Sequence, residues 1–316
     1  MKAFACLLMT AVLATAAHAQ TYPVKPLRML VGYSAGGGAD ALARIVGAKM
    51  SAELGQQVLV ENRPGAGATL AADALAKAAA DGYTIMFADS ALLIAPSIYS
   101  RLGFDAIKSF APVGGAVSTP LVLVVNPAVA AKSTEELIAL LKGDPGKYSY
   151  GSPGVGTVHH LAMELFKKQA GVSMLHVPYK GAAAIVPDVI SGQLPIAVMS
   201  ASPALAQSKA GRLRPIAMTS PARLQGVDWP AVADTLPGFD ASPRLFILAP
   251  AGAPFAIITR LSSALKAALS AREVIDSIAS QGAAPDYTTP QELGTRMVDE
   301  LVKWGQVARD SGAKAE

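Results

Sequence analysis

A chain of 316 residues has room for two domains of ordinary size, at roughly 100–200 residues each. With 52% apolar and only 16% charged residues it excludes intrinsic disorder, and a net charge of +4 over this length excludes a nucleic-acid-binding surface. The single cysteine, Cys6, excludes a disulfide framework and a cysteine zinc site.

The chain opens like a secretory leader. Lys2 supplies the positive start, residues 3–14 form the apolar stretch, and Ala17-His18-Ala19 places small residues at the positions cleavage needs, predicting a cut after Ala19 and a periplasmic protein. The apolar stretch is shorter than the ~20 residues of a membrane anchor. Two later uncharged runs, 109–131 and 245–259, are broken by Pro112, Pro120, Pro127, Pro250 and Pro254, so they read as buried strands and crossovers.

One unit recurs along the rest: a short apolar strand, a Gly-rich turn, an amphipathic helix. Residues 27–33 read as a strand, 34–38 as the turn and 40–53 as the helix. The unit repeats with strand 57–61, turn 64–67 and helix 69–79, and then strand 84–88 runs into Asp89-Ser90. After a Pro-interrupted apolar segment, 117–125, it returns as strand 148–151, turn 152–157 and helix 158–170, and again as strand 173–177, turn 179–181 and helix 183–191. Strands at 196–199, 214–219 and 246–249 follow, with helices at 203–210, 257–269, 272–281 and 291–310. Alternation of this kind predicts an α/β protein with parallel sheets covered on both faces. The two apolar crossings divide it into a discontinuous first domain (20–118 plus 245–316) and a second (119–244), joined by a hinge over a cleft.

In such sheets, ligands sit beyond the carboxyl ends of the strands, where the Gly turns lie. Each turn opens a helix whose first N–H groups lack internal partners and carry about half a positive charge, which suits a carboxylate. The first half of the expected site is Tyr33, Ser34, Gly36, Gly37, Gly38 and Asp40, with Asp89 and Ser90 at the next strand end. Its second half is Ser152, Gly154, Val155, Gly156, Thr157 and His160, with Tyr179. Asp40 also suits a first-turn acid paired with Arg44. His159 reads as a surface histidine and His160 as leaning back to the turn, while His176 reads as structural. Asp89 has two readings: pairing with Arg244 or Lys180 or capping a helix, or receiving a ligand's N–H group. None of the Gly turns completes a P-loop, a dinucleotide fingerprint or a nucleophile elbow. No metal site, cofactor or catalytic set is expected.

The ordered pieces together resemble the solute-binding receptors of tripartite tricarboxylate transporters, the Bug-type receptors, over almost the whole chain. They are Pro26-Leu27-Arg28 before Gly36-Gly37-Gly38-Ala39-Asp40; Glu61-Asn62-Arg63-Pro64-Gly65-Ala66-Gly67; Asp81-Gly82-Tyr83-Thr84; Gly151-Ser152-Pro153-Gly154-Val155-Gly156-Thr157 with His160-Leu161-Ala162; His176-Val177-Pro178-Tyr179-Lys180-Gly181; Gly211-Arg212-Leu213-Arg214; and Ala249-Pro250-Ala251-Gly252. The resemblance implies a two-domain, hinge-bending, periplasmic-binding-protein-like (type II) fold without catalytic activity. It implies a small carboxylate or related metabolite, held by turns 34–38 and 152–157 and passed to integral-membrane transporter subunits. The second reading of Asp89 widens the expected small-molecule ligand to an amino acid or carboxamide, and the receptor is expected to be a monomer. Asp89, Pro195, Met199, Arg244 and Leu245 depart from the family pattern. The competing functions are an exported α/β hydrolase or transferase, and a ligand-gated signalling or interaction module.

Overall fold

Strands that bury both faces account for much of the apolar composition. In the computed structural model, which describes residues 22–179, 182–221, 224 and 226–314, the segments β1 (Leu27–Val31) and β5 (Leu121–Val125) are almost wholly buried. The expected leader and its cut after Ala19, like Lys180, lie outside the described residues. β1 joins β2 (Val58–Asn62), β3 (Thr84–Asp89), β4 (Phe110–Ser118), β10 (Arg244–Pro250) and β11 (Ala284–Thr288) in a six-stranded sheet of order β11-β4-β10-β3-β1-β2. β5 joins β6 (Ser149–Ser152), β7 (Leu175–Pro178), β8 (Ile196–Ser200) and β9 (Arg214–Met218) in a five-stranded sheet of order β7-β6-β8-β5-β9.

Alternate residues of each strand enter opposite cores, as a pleated strand covered on both faces requires. Leu27, Met29 and Val31 pack under α1 (Gly38–Leu54) and α8 (Phe255–Ser270), whereas Leu30 packs with α2 (Thr69–Ala76). In the second sheet Leu121, Leu123 and Val125 pack with α5 (Val158–Ala170), and Val122 and Val124 pack with α6 (Ile185–Ser191) and α7 (Ala201–Lys209). The last helix, α10 (Pro290–Ser311), starts with Pro290 at N1 and a Thr289–Glu292 capping box. It serves both sheets: Leu293 and Met297 pack on the first, Trp304, Val307 and Ala308 on the core of the second.

The sheets are mixed, where the alternation of strands and helices predicts parallel ones. β10 runs antiparallel to β3 and β4, and β5 antiparallel to β8 and β9. The reason is the crossings. β5 follows β4 after only Thr119-Pro120, and it begins beside the end of β8 (Leu121 opposite Ser200). β10 likewise begins beside the end of β3 (Leu245 opposite Asp89). A chain that enters a sheet where its neighbours finish must run against them. The two crossings touch, Pro243 O accepting from Thr119 N at 3.0 Å. The carboxyl ends of β3 and β8 therefore both adjoin the place where the chain passes from one sheet to the other.

Three elements are absent from the sequence reading: α3 (Ala91–Ile98), which holds Pro96, α4 (Thr134–Gly143) and β11. β11 overturns the expectation of helices only after residue 250. It is an edge strand containing Pro285 and Asp286, both poor strand formers, and β4 accommodates it with two glycines. A Cβ on Gly115 would stand 2.7 Å from Asp286 O, and one on Gly114 2.8 Å from Thr288 O. The uncharged runs 109–131 and 245–259 supply strands β4, β5 and β10, and among the described residues no helix is long and apolar enough to cross a membrane.

Candidate functional site

The first turn leaves β1 through Tyr33 and exposes Ser34, Gly36, Gly37 and Gly38 before α1 begins. Gly36 adopts φ +82°, a left-handed conformation that favours glycine. Gly37 is the N-cap and brings no side chain, so no side-chain cap closes the amino end of α1. Its first amides stay open to an anion. Asp40 takes a different place from a ligand contact. It is buried, its Oδ2 accepting from Gly36 N at 2.9 Å and Arg44 Nε at 3.0 Å, and its Oδ1 from Asn62 Nδ2 at 2.9 Å. These bonds, that from Arg44 foremost, lower the carboxyl to about 2 and keep it ionised. Asn62 also donates to Tyr33 O at 3.0 Å, tying the end of β2 to the turn. Sequence reasoning names Asn62 only within the Glu61-Asn62-Arg63 motif; a side-chain amide at a strand end beside a Gly turn is the signal that could have found it.

At the adjoining strand end, Tyr33 Oη donates to Asp89 Oδ2 at 2.5 Å, and Ala91 N donates to Asp89 Oδ1 at 3.1 Å. Asp89 thus caps α3, as one reading expected, but the pairing with Arg244 does not form. Arg244 is taken by Asp240 at 2.5 Å, Asp286 at 2.7 Å and Glu300 at 3.1 Å. Ser90 corrects the sequence reading. It is fully buried, donates to Glu300 Oε2 and accepts from Arg244 N, both at 3.1 Å, so its hydroxyl faces the interior instead of a cleft.

The second turn is braced in the same manner. Ser152, fully buried, lies 2.7 Å from His176 Nε2, and its Oγ accepts from Gly154 N at 3.3 Å. Its hydroxyl is thus taken up within the lobe, behind the turn. Gly154 and Gly156 have φ of +151° and +75°, Val155 between them is exposed, and Thr157 caps α5 through His160 N. His160 leans back to the turn: its buried ring accepts from Gly156 N at Nδ1, 3.1 Å away. Burial, with a smaller contribution from His176, lowers it to about 4 and keeps it a neutral acceptor. Tyr150, His176 and His160 form a stack, with Tyr150 Oη donating to Glu164. Tyr179 Oη donates to Asp188 at 2.6 Å, and Tyr179 N to Ser152 O. His159 differs from a surface histidine, since its Nε2 is buried and burial lowers it to about 4. Met199 lies in the core of the second sheet.

The structure thus brings the expected residues together in two groups, one at the carboxyl ends of β1 and β3 and one at the carboxyl end of β6. They approach through α3: a Cβ on Gly156 would stand 3.1 Å from Ile98. Each group consists of an exposed or half-exposed Gly turn with a buried polar side chain holding one of its amides from behind. The arrangement can hold an anion between two sets of backbone donors.

Residues 42–313 match the family described as the tripartite tricarboxylate transporter family receptor, TctC. Protein BugT of Bordetella pertussis is 34% identical over 311 residues, 96% of this chain and 95% of that one. A solved structure described as a periplasmic transporter is 36% identical, with a TM-score of 0.78 over 93% of this chain and 99% of its own. The R. palustris protein Rpa4515, solved with adipate, is 29% identical, with a TM-score of 0.79 over 93% of this chain and 100% of its own.

Proposed function

Because the chain belongs to the receptors of the tripartite tricarboxylate transporter family and is a solute-binding protein, we propose that it captures a small carboxylate between turns 34–38 and 152–157. The observation that carries this reading is the uncapped amino end of α1 behind exposed Gly36, Gly37 and Gly38. A carboxylate there gains helix-end amides and the helix dipole, without a protein cation. The adipate held by Rpa4515 supports the class of ligand.

The two lobes are residues 20–118 with 245–316, and 119–244. They close about the touching crossings at Thr119 and Pro243. Only the closed form presents both turns to one ligand, so binding favours closure. The receptor works without catalysis, as a monomer in the periplasm after cleavage behind Ala19, and hands its solute to integral-membrane transporter subunits.

Native mass spectrometry of freshly purified protein tests the reading. A retained carboxylate, returned unchanged on denaturation and shrinking the radius of gyration when added back, is the expected result. Steady turnover of the compound would overturn it. Periplasmic material whose chain begins elsewhere than Gln20 would overturn the leader assignment.

A further inference from the structure

We infer that Asp89 reads a protonated nitrogen on the ligand, so that the cleft takes a small zwitterion, an acid that also carries a cationic N–H group, in preference to a plain dicarboxylate. This rests on the carboxylate-receptor reading above and narrows its substrate class.

The argument begins with what the fold needs at residue 89. The amino end of α3 needs an acceptor for Ala91 N, and Tyr33 Oη needs a partner. An asparagine could meet both, its oxygen accepting from Ala91 N and its amide donating to Tyr33 Oη. Neither partner requires a negative charge. The helix dipole of α3, eight residues long, offsets a part of it only. Among the described residues no cation pairs with Asp89. The guanidinium closest in sequence register, Arg244 beside Leu245, is held by three carboxylates of its own. Among the described residues, then, the charge is supplied to the site without a compensating cation.

Its placement gives that charge a target. Asp89 closes β3, the strand beside β1, and Tyr33 links it directly to the first turn. The carboxyl lies deep among protein atoms, and burial raises it to about 6, while the residue as a whole is only partly buried. Each oxygen holds one neutral donor and has a further acceptor position. A ligand ammonium or protonated ring nitrogen would gain a charge-assisted hydrogen bond there, whereas a second ligand carboxylate would meet a like charge. The donor-lined turn and the acceptor at Asp89 together complement a molecule with both signs of charge.

The experiment is calorimetry with matched pairs, succinate and L-aspartate, glutarate and L-glutamate, propionate and β-alanine, on the full mature chain and on Asp89→Ser and Asp89→Asn. In the unsubstituted protein the nitrogen-bearing member of at least one pair binds tighter by roughly ten- to a hundredfold, the worth of a hydrogen bond to a charged group. Both variants lose that preference while retaining carboxylate binding; the asparagine variant keeps the bonds to Ala91 and Tyr33 and guards against misfolding. Carboxylates bound with no preference for nitrogen, or with a preference that survives in both variants, overturn the inference and leave the carboxylate reading intact. Failure of all six compounds, with a non-carboxylate alone raising the melting temperature, overturns both.

Discussion

The imidazoles of His160 and His176 stack with centroids 3.9 Å apart and planes 9° from parallel. Two neutral rings can share that spacing, but two imidazolium ions would repel. Burial lowers both rings, and each has a task that needs a lone pair or a single proton: His160 Nδ1 accepts from Gly156 N, and His176 Nε2 meets Ser152 Oγ. The second turn is therefore built on neutral histidines.

Acid should loosen that turn. His160 falls to about 4 from the ordinary 6.5, so the unfolded chain binds its proton first. The stability due to the neutral ring is complete above pH 6.5 and is lost as the pH falls towards 4, by roughly 3 kcal/mol at most. Asp40, lowered to about 2, loses its contribution only below the ordinary 3.8, outside this window. Thermal melts between pH 7.5 and 4.5 should show a fall that is smaller in His160→Gln, whose amide oxygen can still accept from Gly156. An equal fall in both proteins would mean that His160 is not the titrating group.

Asp89 titrates with the opposite sign. Burial raises its carboxyl to about 6, against the bonds from Tyr33 and Ala91, so ionisation is disfavoured in the folded state. That cost is fully present above pH 6 and gone below 3.8. Asp89→Asn should stabilise the protein at pH 7.5 by about 1–3 kcal/mol and leave it nearly unchanged at pH 4. Unfolding in urea at the two pH values measures this, and no gain at pH 7.5 would refute it. A gain would mark Asp89 as a residue kept for binding at the expense of stability.

Much of this architecture is legible in the sequence because it rests on local signals. Apolar strands ending in glycine mark β1, β6 and the turns after them, and Thr157 followed by an apolar periodicity marks α5 with both its bounds. What escapes is non-local. β11 reads poorly as a strand because Pro285 and Asp286 are tolerated only at an edge, beside glycines 170 residues earlier in the chain. The antiparallel run of β5 and β10 follows from where each crossing enters its sheet, which no periodicity records. Near the turns, the side chains of Ser90 and Ser152 point inward to partners far along the chain, whereas the pairing of Asp40 with Arg44, four residues on, is a local signal that the sequence shows. Asn62 is only weakly marked because its partners, Tyr33 O in the first turn and Asp40 at the start of α1, lie more than twenty residues earlier in the chain.

Asp40 and Asn62 should act as one unit. Asp40→Ala removes the acceptor of Gly36 N and leaves Arg44 and Asn62 without their carboxylate partner; Asn62→Ala removes the donor to Tyr33 O and the acceptor of Arg44 Nη2, and leaves Asp40 Oδ1 to Arg44 alone. Each alone should cost about 1–3 kcal/mol, and the double variant should cost less than the sum, with a coupling of about 0.5–3 kcal/mol. Chemical unfolding of the four proteins gives the cycle. Simple additivity would show that the two side chains brace the first turn independently.

The last prediction concerns the contact between the two groups of the site. Gly156 combines φ +75° with a space where a Cβ would lie 3.1–3.2 Å from three carbons of Ile98, whereas Gly154, at φ +151°, faces Tyr179 O of its own lobe at 3.6 Å. Alanine at either position carries backbone strain of about 1–2 kcal/mol, because a Cβ crowds the neighbouring carbonyl at positive φ. Only at 156 does it also press on α3. Gly156→Ala should therefore lower both stability and affinity for a bound carboxylate, and Ile98→Ala in the same chain should restore part of the affinity by removing the atoms it meets. The pair Gly154→Ala and Ile98→Ala should be additive. Melting curves and calorimetry on the six proteins decide it: coupling at 154 as large as at 156 would show that strain within the turn, and not the approach of the lobes, governs binding.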